Sequence, residues 1–132
     1  VSRAADTADQ LAPRIRALFS ALDHAGEFVA HEADGAAHRA HGEAGREELG
    51  TRVQFSLAIA GQRLVGVRYR AYGCPHTLAT CEWLARSLEG RRLDSLAIGD
   101  PLEWAQRLDV PAAKLGRLLV IEDALRAALT RS

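Results

Sequence analysis

Cysteine is scarce in this chain, with two among 132 residues, Cys74 and Cys81. Such a pair cannot staple a disulfide-rich secreted scaffold, so the simpler expectation is a reduced, intracellular protein. An excess of charge is also missing. Seventeen basic and 17 acidic residues cancel with histidine neutral, which removes the electrostatic footprint of a general nucleic-acid binder. No apolar run approaches the roughly 20 residues needed to span a bilayer, and no charged-then-apolar signal segment opens the chain. The expectations are therefore no membrane, no nucleic acid and a cytoplasmic location. Lysine occurs once, at Lys114, a compositional bias without functional weight. Aromatic residues make up only 5%, but 48% hydrophobic content at this length suffices for one core and one domain spanning residues 1–132.

What is present falls into segments of different period. Leu11, Ile15, Leu18, Phe19 and Leu22 have helical spacing, with Asp6 or Thr7 as cap, a regular part beginning near Ala12, and Gly26 as stop. Phe28 to His31 reads as a short strand. Residues 32–50 carry no sustained period and read as a long histidine-containing loop. Val53, Phe55, Leu57 and Ile59 then alternate with polar or small residues, Gly61-Gln62 suits a II′ turn, and Val65, Val67, Tyr69 and Ala71 form a returning strand. Pro75 opens a helix with an apolar stripe at Leu78, Cys81, Leu84, Ala85 and Leu88, stopped by Gly90. Asp100-Pro101-Leu102-Glu103 is a capping box, Asp109-Val110-Pro111 repeats the start signal, and Leu115 to Leu129 carry a final stripe. The pattern predicts an α+β domain, a small antiparallel sheet covered by helices.

The chemistry concentrates at Cys74. Placed between a strand and Pro75, its thiol faces the open amides and positive dipole end of a helix, which favour the reactive, metal-binding thiolate. Cys81 lies roughly 10 Å further along the same helix, too far to share a zinc ion, and falls on the apolar stripe. His76 is near enough in sequence to hydrogen-bond or ligate, and is also explained as a polar residue at an exposed helix end. His38 and His41 could share an ion if their loop turns between them, although a solvated loop is the simpler explanation.

The run Tyr72-Gly73-Cys74 resembles the NifU/IscU-type iron–sulfur cluster assembly scaffolds. The likeness continues through Glu89-Gly90, Leu93-Asp94, Leu108-Asp109-Val110-Pro111, Glu122-Asp123-Ala124-Leu125 and Ala127-Ala128, with a weaker echo at Ala25-Gly26-Glu27-Phe28. It implies a three-stranded antiparallel sheet packed against helices, and a non-enzymatic role holding a [2Fe–2S] cluster or zinc on three cysteines. Cysteine desulfurase and other cluster-assembly proteins are the implied partners. Cys74 matches the middle cysteine. The first falls where this chain has Leu49-Gly50-Thr51, the third where it has Gly116-Arg117. The family's chaperone-recognition motif survives only as Val110-Pro111-Ala112-Ala113-Lys114, so chaperone contact is not carried over.

A [2Fe–2S] cluster normally takes four protein ligands, and Cys74 supplies one. Arg117 beside it would oppose a cation and favour a thiolate. Three readings stand. The chain could scaffold a cluster or zinc on Cys74, completed by His76, His38 and His41 or by a second subunit. It could be a cluster-free paralogue that docks on a cysteine desulfurase, accepts sulfur on Cys74 or regulates assembly. It could be a thiol enzyme with His76 as base, for which no residue to orient the imidazole is evident.

Overall fold

The computed structural model describes residues 11–28 and 38–131. The expected cap at Asp6 or Thr7 and most of the strand expected at Phe28–His31 lie outside the described residues. Within them the order is α1 (Pro13–Phe19), β1 (His38–Arg46), β2 (Thr51–Ala60), β3 (Arg63–Tyr72), α2 (Pro75–Leu88), α3 (Pro101–Leu108) and α4 (Leu115–Thr130). The three strands form one antiparallel sheet in the order β1-β2-β3, as the α+β expectation requires.

The hairpin forms because β2 turns Val53, Phe55 and Leu57 to one face, where all three are fully buried. Burying each is worth about 1.5–3 kcal/mol. Two details differ from the sequence reading. Gly61 and Gln62 both have positive φ, 56° and 64°, the mark of a I′ turn rather than II′. A register shift at Ala58/Ile59 pairs Ile59 with Leu64, so Leu64 enters the core while Val65 is turned out.

The larger correction concerns residues 32–50. Residues 38–46 of the expected loop are a strand, paired with β2 from His38↔Ile59 to Arg46↔Thr51, and Glu47–Leu49 form a 3-10 turn. The inward residues of β1 are Ala40, Gly42 and Ala44, too small to register as an apolar alternation. Their smallness has a structural cause. A side chain at Gly42 would run into the backbone of Ala124, Ala127 and Ala128, so α4 lies directly against this strand.

Val120 lies against Gly45 at the Thr51 end of the sheet, while the Arg131 carbonyl accepts from His38 Nε2 (2.9 Å) at the other. Helix α4 thus runs the length of the sheet with its N-terminus at the Thr51 end. Tyr72 pairs with Arg52 at that same end, and the chain turns there into α2. The opposite sheet face carries Phe28 over Ala58 and Gly66, between the guanidinium groups of Arg39 (5.1 Å) and Arg68 (5.3 Å). No helix among the described residues is long and apolar enough to cross a membrane.

Candidate functional site

Cys74 is the N-cap residue of α2, with extended backbone at φ −82° and ψ 172°. Pro75 occupies the first helical position, where a missing N–H costs nothing. Gly73 permits the turn to close, because a Cβ there would stand 2.9 Å from Thr77 Oγ1. The thiol, partly exposed, is thereby brought to 3.7 Å from Thr77 Oγ1 and 3.9 Å from His76 Nδ1. Both partners are buried, His76 at 3% exposure and Thr77 at 0%. Of the two readings of His76, the structure does not place it as an exposed polar residue at a helix end: it is buried, with Nδ1 beside the sulfur.

Burial pushes the Cys74 thiol up, but hydrogen bonding from His76 and Thr77 outweighs it. The result is a thiol lowered from 9.0 to about 6. The first-turn amides of Thr77 and His76 add to this from the open helix end, without a cap hydrogen bond to the sulfur. Cys81 is the opposite case. It is fully buried, and burial together with the nearby Glu82 carboxylate pushes its thiol far up, leaving it inert core.

The four-residue metal set does not assemble. His38 lies at the far end of the sheet, roughly 25 Å along the strands from the Cys74 end. His41 is three residues further along the strand and so on the opposite face, with Nδ1 3.0 Å from Ser56 Oγ. The family's cluster or zinc would need donors where this chain has Leu49, 80% exposed, and Arg117. Among the described residues no three His, Cys, Asp or Glu side chains group closely enough to hold a metal ion. The donor set among the described residues does not fit a [2Fe–2S] cluster or a zinc ion.

Arg117 stands in the first turn of α4, three residues before Val120 and therefore roughly 4.5 Å further toward the Cys74 end. The spacing 117, 121, 124, 128 puts it on the stripe of the buried Ile121, Ala124 and Ala128. Its Nε is shut off from solvent and has no hydrogen-bond partner among the described residues.

Sequence reasoning missed a second polar centre. Glu82 is fully buried and accepts from the His24 amide (2.9 Å), the Tyr69 hydroxyl (3.0 Å) and Arg86 Nε (2.8 Å), with His24 Nδ1 at 2.7 Å. Burial would push this carboxyl up, yet these donors hold it below the ordinary 4.5. The network ties the turn after α1 to α2 and β3. Its one sequence signal is a glutamate flanked by Cys81 and Trp83.

Fold and site define a small α+β protein that presents one partly exposed thiol at a strand-to-helix junction. The sequence profile of the NifU-like N terminal domain matches residues 13–131, and the chain belongs to that family. A curated relative, the bifunctional protein NifU/MnmA of Rubrobacter xylanophilus, is 46% identical over 57 residues, 42% of this chain and 12% of the relative. The chain thus aligns with about an eighth of that relative's length.

Among solved structures, a candidate iron–sulfur cluster assembly scaffold protein for the SUF system from Fervidobacterium islandicum AW-1 superposes with a TM-score of 0.64. Its identity is 14%, and the match covers 89% of this chain and 95% of that one. The N-terminal part of a nitrogen-fixing NifU-like protein from Brucella abortus gives a TM-score of 0.55 at 13% identity, covering 92% and 95%. At such identities these likenesses establish the fold.

Proposed function

We propose that this chain serves iron–sulfur cluster assembly as a scaffold-family protein whose part is to carry sulfur on Cys74. The observation that carries the reading is a single thiol, held by His76 and Thr77, where among the described residues no three metal-ligating side chains group together. Family membership and the names of the relatives support the pathway, and the donor set supports the division of labour.

The chemistry balances without an added oxidant. The Cys74 thiolate attacks the terminal sulfur of a persulfide on a cysteine desulfurase. The new Sγ–S bond forms as the donor's S–S bond breaks, and the desulfurase thiolate leaves with the electron pair. Cys74 then holds one sulfane sulfur for the next acceptor. His76 and Thr77 keep the attacking sulfur ionised and fix its direction; the inert Cys81 does not compete.

The test is transfer from a desulfurase supplied with L-cysteine, read by intact mass. Wild type gains one sulfur and Cys74→Ser gains none. A wild-type protein that gains none, with the desulfurase turning over, would overturn the reading.

A further inference from the structure

We propose that Arg117 supplies the positive charge of this site in place of a metal ion, as counter-ion to the anionic sulfur that Cys74 carries. The proposal deepens the sulfur-carrier reading and rests on it. Its first support is placement. Helix α4 begins at the end of the sheet where β3 passes into α2, so Cys74 and Arg117 head two helices that open at the same end. A helical side chain leans toward its own N-terminus, which carries the guanidinium further in that direction.

The second support is the orphaned donor. Arg117 follows the buried stripe of α4, and its Nε is closed off from solvent with no acceptor among the described residues. Buried donors of this kind are seldom left unpaired, and an anion is one acceptor that would satisfy it. The third is the sign of the surroundings. Neither α2 nor α4 has an acidic residue in its first turn, and Thr77 and His76 present donors toward the sulfur; the acidic groups at this end of the sheet are Glu47 and Glu48, on the turn between β1 and β2. Two helix N-termini, two side-chain donors and the guanidinium thus lie toward one end of the fold, the elements from which an anion site is built. A persulfide sulfur is the anion that Cys74 would bring to it.

Inorganic polysulfide tests this without a partner protein. The Cys74 thiolate attacks a terminal sulfur, that sulfur's bond to its neighbour breaks, and the shortened polysulfide leaves with the electron pair. The adduct on Cys74 is followed by intact mass in wild type, Arg117→Gln and Arg117→Lys. Losing the counter-ion should shorten the life of the adduct about tenfold in Arg117→Gln, while Arg117→Lys stays within about twofold of wild type. The pH midpoint of Cys74 labelling should rise in the glutamine variant and return in the lysine variant, which lost packing alone would not produce. Equal adduct lifetimes and equal midpoints in wild type and a folded Arg117→Gln would overturn the proposal.

Should Arg117→Gln fail to fold, the wild type still decides. Its Arg117 Nε–H resonance, assigned by its loss in Arg117→Lys, shifts when Cys74 is loaded; an unmoved resonance refutes the contact. A desulfurase that transfers nothing refutes the carrier reading and leaves this result standing. An indifferent Arg117 beside normal enzymatic loading refutes only the counter-ion.

Discussion

Titrating Cys74 with an aromatic disulfide reagent tests the site's electrostatics directly. A thiol at about 6 is about nine-tenths thiolate at pH 7, against about one part in a hundred for a thiol left at 9.0. Reactivity does not rise in proportion. Lowering a thiolate's basicity by three units cuts its intrinsic nucleophilicity roughly twentyfold. The net advantage is therefore about fourfold at pH 7 and about 25-fold at pH 6, and the shape of the profile is more telling than any single rate. Stopped-flow labelling from pH 4 to 10 should level off above a midpoint near 6. His76→Phe and Thr77→Val should each move the midpoint up, because each removes a hydrogen bond that favours the thiolate. Cys81, enclosed in the core, should add no second phase in the native protein. A wild-type midpoint near 9, or one indifferent to both substitutions, would refute the reasoning.

Other consequences follow from the packing. Glu82→Gln should cost about 3 kcal/mol, since a buried carboxylate with four donors around it is lost, and lower Tm by roughly 10 °C in calorimetry. The Glu82 carboxyl is held below its unfolded value, so its contribution is complete above pH 4.5 and fades as pH falls through the lower folded value. Acid denaturation of Glu82→Gln should accordingly lack that part of the pH dependence. Gly42→Val should destabilise by several kcal/mol, as the side chain collides with the α4 backbone; an unchanged denaturant midpoint would contradict the contact. Asp100→Ala should cost about 1 kcal/mol by chemical denaturation through loss of the cap on the Glu103 amide (2.9 Å).

The elements legible in the sequence are those whose burial is done by large side chains. Phe55 and Leu57, the stripe from Cys81 to Leu88, and the Asp100 capping box each carry a strong local period or a specific start signal. β1 carried neither, because close approach of α4 demands Ala40, Gly42 and Ala44, and small residues leave no hydrophobic alternation. The histidines misled for the same reason. Once residues 38–46 are a strand, His38 and His41 point to opposite faces, and neither reaches Cys74.

Cys74 itself was readable, since Gly73-Cys74-Pro75 places a thiol at a helix start whatever surrounds it. The burial of His76 was not, because one histidine in a first turn has no period to reveal which way it faces. Glu82 was hidden by a rule that holds elsewhere, that a charged residue in a helix marks its wet side. Arg86 reaches it from the next turn of α2, but Tyr69 and His24 come from other elements, and only the fold brings those two to it.

The central claim is that this member of the family handles one sulfur atom on one thiolate and not a metal cluster in a cysteine cage. Anaerobic incubation with ferrous iron, a cysteine desulfurase and L-cysteine, followed by visible spectroscopy and native mass spectrometry on the same sample, tests it most directly. The account predicts a colourless protein one sulfur heavier, with the added mass absent in Cys74→Ser. A coloured protein carrying two irons and two sulfides, lost in Cys74→Ser, would contradict it.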